Sequence, residues 1–458
     1  MHRRPASAHR STPVDDDESE DHDMSRKTTP LVTTAAAAAL LAGCGAGGAS
    51  GTDGADGEIT GTVTVLTNRT DIVDTTLAGY AKEFEALHPG VDVQFEAVTD
   101  YEGDVSVRLN SRDYGDVLLI PNQVTKDQLP QFFAPLGSTE ELGRTYRFVD
   151  EAAYEGEVYG LATFGTAMGY VLNTDVWAEA GITAPPETPE EFLQALAAID
   201  EKTDAIPYYT NYADGWPLAQ WQSNQGSIAG PDALLERTRD DAPWTEGKEQ
   251  HAIDSLLYRI VERGLSEPDP TTTNWEESKN LIGSGEVATM VLGSWAVPQM
   301  QEAAEAAGGS ADDIGFWPMP WKVDGDFHST VSGDYKIGIS RHSDNADAAR
   351  AWVDWFLDSS GFAAEQGGLS PRLDGEAPPA LEDFEAHGVE QVELSPAPAG
   401  EESVLSDIYN TAEIDLAGEK YRQEFLDVAR GAAEGDEAFV FGDLNSRWAA
   451  ARAQVSAS

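Results

Sequence analysis

The stretch from residue 62 to residue 121 most narrows the possible fold, because its hydrophobic period changes several times. Thr62–Leu66 is a β-branched run typical of a strand, Val91–Ala97 alternates like a second strand, and Val117–Ile120 is continuously apolar like a buried strand. Between the first two, apolar residues recur at the spacing of one helix face, at Val73, Leu77, Tyr80, Phe84 and Leu87. With a short helix over 104–110, this predicts a β-α-β-α-β start and a parallel sheet.

The rest of the chain continues the alternation of strands and helices. Gly169–Asn173 and Val287–Leu292 are predicted strands, and Ile337–Ile339 is a short one. Thr188 opens a capping box with a proline at the first helical position, which predicts a helix, and another helix follows Asn345. The folded part spans about 400 residues, which is too long for one core and predicts two domains.

The composition excludes several classes of partner. The formal net charge is −52, so the surface repels nucleic acid, and we expect no nucleic-acid binding. Eleven tryptophans and regular apolar periodicity supply a packed core despite this charge. Cys44 is the single cysteine, so an internal disulfide cannot contribute to stability.

The N-terminal region has the layout of a secretory signal. Arg26 and Lys27 precede an apolar run that is too short to span a membrane, and the run closes at Leu41–Cys44. The stretch 1–23 carries acidic residues ahead of this signal, so we interpret Met24 as the true start, 24–43 as the signal peptide and 44–57 as a flexible tether. The ending resembles the lipobox of bacterial lipoproteins. That resemblance implies lipid modification of Cys44 and anchoring at the extracellular face of the cell membrane.

Three blocks of the sequence resemble the extracellular solute-binding proteins, family 1, of carbohydrate ABC importers. The blocks are Glu155–Phe192, Gly283–Val297 and Ile314–Phe356. The resemblance implies an α/β, two-lobe periplasmic-binding-protein-like (type II) fold with the ligand cleft between the lobes. It places lobe one at 60–163 plus 293–340, and lobe two at 168–290 plus 341–450. It also implies a monomer that delivers a sugar to ABC importer permease subunits, with no cofactor, no metal and no catalytic residues.

A sugar site needs planar aromatic rings and fixed polar groups, because sugars present apolar C–H faces and many hydroxyls. Loops at the carboxyl ends of the strands are the expected place for such groups. The predicted ligand-binding residues are Asn68, Arg69, Tyr101, Asn122, Asn211, Tyr212, Asp214, Trp216, Trp275, Trp295, Asp334, Tyr335 and Arg372. Trp295 matches, by resemblance, a sugar-stacking tryptophan of the family. Arg69 and Arg372 leave an acidic ligand open, and pairing of such an arginine with Asp334 is the structural alternative.

Two other classes of function stay open from the residues alone. One is a binding protein for a non-sugar solute, such as a peptide, a polyamine or an acidic metabolite. The other is a secreted carbohydrate-active enzyme, which would need two carboxylates roughly 5 to 10 Å apart. The sequence contains no G-x-S-x-G, H-E-x-x-H or P-loop motif, and its eight histidines show no ligand spacing. We therefore expect a binding protein and not an enzyme.

Overall fold

A computed structural model describes residues 59–456 of the chain. The predictions for residues 1–23, 24–43 and 44–57, including lipidation of Cys44, lie outside the described residues. Within 59–456, no helix combines the length and apolarity that crossing a membrane requires.

The strands form three sheets. A five-stranded sheet has the order β2-β1-β3-β13-β7, a six-stranded sheet is built around β8 and β12, and a small sheet has the order β4-β6-β5. The strands are β1 Gly61–Thr67, β2 Val91–Ala97, β3 Val117–Leu119, β4 Gly137–Ser138, β5 Ala153–Tyr154, β6 Glu157–Val158, β7 Gly160–Ala162, β8 Gly165–Asn173, β9 Thr289–Gly293, β10 Ile314–Trp317, β11 Lys322–Val323, β12 Asp326–Gly333, β13 Lys336–Ile339 and β14 Glu390–Glu393.

Helices cover both main sheets. They are α1 Ala78–Leu87, α2 Tyr101–Arg108, α3 Leu129–Phe132, α4 Thr139–Leu142, α5 Thr174–Glu179, α6 Pro189–Lys202, α7 Trp216–Ala219, α8 Ala233–Arg239, α9 Glu249–Glu262, α10 Trp275–Gly283, α11 Ala296–Ala306, α12 Ala346–Ser359, α13 Phe362–Glu365, α14 Glu382–Ala386, α15 Val404–Thr411, α16 Lys420–Ala429 and α17 Glu437–Val455. A π-helical turn over Val73–Leu77 leads into α1, so the predicted helix face begins with a wider turn.

The first sheet confirms the predicted β-α-β-α-β start. Strand β1 pairs in parallel with β2 from Gly61–Val91 to Thr67–Ala97, and in parallel with β3. Its core buries Val63, Leu66 and Phe84 together with Trp352 of α12. We call the part of the chain packed on this sheet lobe one.

The second sheet is organised by β8, all nine residues of which are buried. It pairs antiparallel with β9, β10 and β12, and separate apolar clusters centred on Trp177 and on Val171 pack around this sheet. We call this part lobe two. Helix α6 begins as predicted, since the Thr188 hydroxyl accepts a hydrogen bond from the amide of Glu191 at 3.2 Å.

The structure corrects part of the lobe assignment within 293–340 and 341–450, whereas β13 lies in lobe one and residues 404–455 lie in lobe two as assigned. Helix α11 and strands β10 and β12 belong to lobe two, because they pack on and pair with the β8 sheet. Helix α12 belongs to lobe one, because Trp352, Val353 and Phe356 fill the core of the first sheet. The chain therefore passes between the sheets near 162–165, 333–336 and 362–369. The lobe bounds implied by the resemblance place the second and third passages at about 290–293 and 340–341.

Candidate functional site

Three half-buried tryptophans from different parts of lobe two are in contact with one another. The ring centroids of Trp216 and Trp275 are 4.9 Å apart, and Trp295 lies 5.8 Å from Trp216 and 5.7 Å from Trp275. The interplanar angles of 73°, 42° and 56° make these rings a three-sided corner instead of one flat platform. We call them the tryptophan cluster. Trp295 packs against the cores of both lobes, which places the cluster at the junction between them.

The indole N–H groups of the cluster have no hydrogen-bond partner within the described part of the chain. Five other tryptophans donate their N–H to protein oxygens, namely Trp177, Trp221, Trp244, Trp321 and Trp448, whereas the buried N–H of Trp352 also lacks a partner within residues 59–456. A buried indole N–H usually finds such a partner, because leaving it unpaired costs free energy. The cluster therefore offers both apolar ring faces and free donors to a ligand.

A small residue and a short polar network fix Trp295. A Cβ atom on Gly293 would lie 2.7 Å from Cδ1 of Trp295, so the indole occupies space that only glycine leaves open. The Ser294 hydroxyl lies 3.3 Å from the Thr166 hydroxyl and accepts from the amide of Ala167 at 3.2 Å. These bonds tie the segment that carries Trp295 to the first passage between the lobes.

Asp214 connects the two loops that carry Trp216 and Trp275. Its carboxylate accepts a hydrogen bond from the backbone amide of Trp275 at 2.5 Å, and its carbonyl accepts from the amide of Trp216 at 2.9 Å. Asn274 caps the helix that Trp275 begins, by accepting from the amide of Glu277 at 3.1 Å. Asp214 therefore supports the cluster through the backbone of both segments.

Tyr335 and Asn122 meet at a carboxylate that the sequence did not single out. The Tyr335 hydroxyl donates to Glu102 at 2.7 Å, and the Asn122 side chain and backbone amide donate to the same carboxylate at 3.1 and 2.9 Å. Burial raises the pKa of Glu102, while these hydrogen bonds oppose that rise. No sequence motif marks Glu102, since its role depends on α2 meeting the 333–336 passage.

The segments that carry Tyr335 and Trp295 are hydrogen-bonded to neighbouring parts of the chain, at residue 163 and at residues 166–167. The carbonyl of Tyr335 accepts from the amide of Thr163 at 2.9 Å, and Ser294 is bonded at Thr166 and Ala167. Three residues of extended chain span at most about 10 Å, so the backbones of these two segments approach each other here.

Asn68, Arg69 and Asp334 lie on the lobe-one side of this junction. The Arg69 guanidinium donates to both carboxylate oxygens of Asp71, at 2.9 and 2.7 Å, and also to Gln366. Asp334 accepts from the amide of Tyr335 at 2.8 Å, and burial raises its pKa while Lys336 and Arg69 oppose the rise. The alternative in which an arginine pairs directly with Asp334 is not what the structure shows. The half-buried amide of Asn68 makes no side-chain hydrogen bond within residues 59–456.

Three predicted residues, Tyr101, Arg372 and Tyr212, have partners elsewhere, and Asn211 is buried. Tyr101 is in the lobe-one core, where its hydroxyl bonds both the carbonyl and the amide of Leu119. Arg372 pairs with Asp358 and Asp374 at 2.9 Å each. Asn211 has a left-handed φ of 54° and its amide contacts the sulfur of Met290 at 3.4 Å, but its Oδ1 has no partner within residues 59–456. Tyr212 faces helix α16, where its hydroxyl donates to Asp427 at 2.7 Å.

The buried carboxyl of Glu267 holds the strand-like segment that leads to Trp216. It accepts from the amide of Thr210 at 2.8 Å and from the hydroxyl of the same residue. Burial raises the pKa of Glu267 from 4.5 to about 7, although the Thr210 bonds oppose the rise.

This shift predicts a pH dependence of stability. Because the folded state binds the Glu267 proton more tightly than the unfolded chain, its contribution is fully present below pH about 4.5 and is lost as the pH rises to about 7. We expect Glu267→Gln to remove this dependence, because glutamine does not titrate. The free energy of unfolding of the variant minus that of the wild type should therefore rise by about 3 kcal/mol from pH 4 to pH 8. Urea unfolding at both pH values measures this difference. The exposed Glu157→Gln serves as control, and a difference that does not change with pH would contradict the prediction.

Two cavities lie away from the predicted ligand-binding residues. One of about 290 Å³ lies between α10 and α11, and one of about 280 Å³ is lined by Arg147, Phe148, Leu373 and Glu393 among others. Neither is lined by a predicted ligand-binding residue. Residues 59–456 contain no group of three or more His, Cys, Asp or Glu side chains that could hold a metal ion.

Comparison with known proteins finds relatives that are solute-binding proteins. The model of the bacterial extracellular solute-binding protein family matches residues 69–361. A solved structure of a manno-oligosaccharide-specific solute-binding protein from Bifidobacterium animalis subsp. lactis, in complex with mannotriose, is 33% identical. The alignment covers 86% of this chain and 95% of that chain, with a TM-score of 0.80.

Further relatives agree. A second binding protein of an ABC transporter from the same organism, in complex with mannobiose, shows the same 33% identity and TM-score of 0.80, over 86% of this chain and 95% of that chain. The diacetylchitobiose-binding protein DasA of Streptomyces coelicolor is 23% identical, over 76% of this chain and 82% of that protein. The predicted type II two-lobe fold is therefore confirmed. The chain belongs to the bacterial extracellular solute-binding protein family.

Proposed function

We propose that this protein binds an uncharged oligosaccharide, of the size of mannobiose or mannotriose, at the tryptophan cluster. The observation that carries the proposal is three contacting, half-buried indoles with free N–H donors at the junction of two lobes. Sugar rings stack their C–H faces on such indoles, and their hydroxyls accept from the N–H groups. The relatives bound to mannotriose and mannobiose support this ligand class.

The charges around the site favour an uncharged ligand. Each nearby cation already has an anionic partner, since Arg69 pairs with Asp71, Lys336 with Glu151 at 2.6 Å, and Lys279 with Glu276 at 2.6 Å. An acidic ligand would have to displace one of these partners, which costs the energy of the existing pair. This argues against the acidic-metabolite alternative.

The delivery role follows from the same family membership. We propose that the protein passes its sugar unchanged to the permease subunits of an ABC importer, and that it acts as a monomer without catalysis. Its place is the extracellular face of the membrane, held by a lipid on Cys44. Recovery of the wild-type chain in the cell-membrane fraction would support the anchor.

Calorimetry with a ligand panel tests the proposal. We expect mannobiose or mannotriose to bind, and galacturonate oligomers, spermidine and a tripeptide to give no heat of binding. Chromatography of the recovered sugar should show no hydrolysis. Failure of every neutral oligosaccharide would overturn the sugar assignment, and binding of spermidine alone would favour the polyamine alternative.

A further inference from the structure

A C-terminal helix outside the residues matched by the family model packs behind the loop that carries Trp216. Helix α16 contacts α7, which Trp216 begins. The Gln423 side-chain amide donates to the carbonyl of Tyr212 at 2.8 Å. The Tyr212 hydroxyl in turn donates to Asp427 at 2.7 Å, and the Arg430 guanidinium lies 5.0 Å from the centroid of the Tyr212 ring.

The turn between Tyr212 and Trp216 fits closely onto this helix. Gly215 has a φ of +75°, which favours glycine. A Cβ atom there would lie 2.6 Å from Cγ of Glu419 and 3.2 Å from Nε2 of Gln423. The amide of Gly215 donates to the carbonyl of Asn211 at 3.1 Å, so the turn is also closed on itself. The side chains of α16 therefore restrict the position of the backbone just before Trp216.

The same turn extends the effect of the helix to a second ring. Asp214, one residue before Gly215, accepts from the amide of Trp275. A shift of the 212–215 backbone therefore moves Trp216 directly and withdraws the carboxylate that holds the start of α10.

We propose that Gln423 is a positioning residue for the sugar site, acting through the carbonyl of Tyr212 on Trp216 and Trp275. The proposal rests on the proposed function. It also explains why Tyr212, an aromatic residue in a site loop, points away from the tryptophan cluster. Its hydroxyl and ring join the loop to α16, so Tyr212 supports the site from behind.

A double-mutant cycle tests this role. In Gln423→Glu the donor is replaced by an acceptor facing the Tyr212 carbonyl, and we expect mannotriose to bind about tenfold more weakly. In a Trp216→Ala background the same change should weaken binding clearly less than tenfold, because one of the two rings that Gln423 positions is absent and only the effect through Trp275 remains. The adjacent, exposed Glu424→Gln is the matched control and should bind like the wild type. Equal losses in both backgrounds, or no loss in either, would overturn the proposal.

A second measurement needs no ligand. The contacting rings contribute to the near-ultraviolet circular dichroism, and the difference between the spectra of the wild type and Trp216→Phe measures that contribution. Gln423→Glu should reduce this signal. Glu424→Gln should retain it. If mannotriose fails to bind the wild type, the sugar assignment fails, and the dichroism still decides the positioning role. If Gln423→Glu does not fold, Gln423→Met, which removes the donor to the Tyr212 carbonyl without adding a charge, is expected to give a smaller change in the same direction. An unchanged dichroism signal in the folded variants would overturn the proposal.

Discussion

Trp295→Ala is expected to weaken mannotriose binding at least about thirtyfold, which corresponds to about 2 kcal/mol of binding free energy. The ring contacts Trp216 and Trp275 and packs against the cores of both lobes, so its loss removes one side of the corner and the packing that orients the others. Calorimetric titration of the variant measures the loss. Trp295→Phe keeps an aromatic face but loses the free N–H, so we expect an intermediate affinity.

Trp355→Ala is the matched control for this experiment. Trp355 is also half-buried, but it contacts Tyr80, Phe84 and Trp352 in lobe one, with ring centroids 5.6 to 6.3 Å apart. Its removal should lower the free energy of unfolding and leave the affinity for mannotriose unchanged. If Trp295→Ala binds within threefold of the wild type while Trp355→Ala loses affinity, the site is not at the tryptophan cluster.

Arg422→Met is expected to lower the free energy of unfolding by about 3–5 kcal/mol, because it leaves a buried carboxylate without its cation. The Arg422 and Asp254 side chains are both 0% exposed, with a closest N···O distance of 3.1 Å. Asp254 also accepts from Trp244 and Gln250, each at 2.7 Å. These contacts join α16 to α9 inside lobe two, so their loss weakens the packing of the C-terminal helices.

Urea unfolding measures this effect against a surface pair. Arg144→Met removes the partner of Glu140 in a pair that is 70% and 84% exposed, and we expect a change below about 1 kcal/mol. Combining Arg422→Met with Asp254→Leu should recover part of the loss. It should not recover all of it, since Trp244 and Gln250 then lack an acceptor. A loss for Arg422→Met no larger than that for Arg144→Met would contradict the prediction.

The predicted elements depended on local signals and agree closely with the structure. The strand Val91–Ala97 has the predicted bounds, and the helix after Thr188 begins at its predicted cap. Both signals lie within a few residues of each other in the chain, so periodicity and capping chemistry were sufficient. The lobe boundaries were less accurate, because the partner of a strand such as β13 lies about two hundred residues away.

For the candidate site too, the sequence indicated local features but not contacts between distant segments. Aromatic and polar residues in loops indicated which side chains could bind a sugar, and Trp216, Trp275 and Trp295 were among them. The sequence could not show that Tyr101 bonds Leu119 or that Arg372 pairs with Asp358 and Asp374. Whether a side chain has a partner depends on residues that are distant in the chain, so the residue type alone does not reveal it. Glu102 was missed for the same reason.

The sequence by itself determined the α/β class and the order of its elements, since hydrophobic period and capping residues act over one or two turns of chain. The resemblance of three sequence blocks indicated the two-lobe family. Only the tertiary structure decided that residues 216, 275 and 295 share one corner, that helix α12 fills lobe one and that α16 supports the loop before Trp216. Those outcomes depend on packing between segments that are distant in the chain. There, the space left by Gly293 and Gly215 and the available hydrogen-bond partners allow one arrangement of the segments.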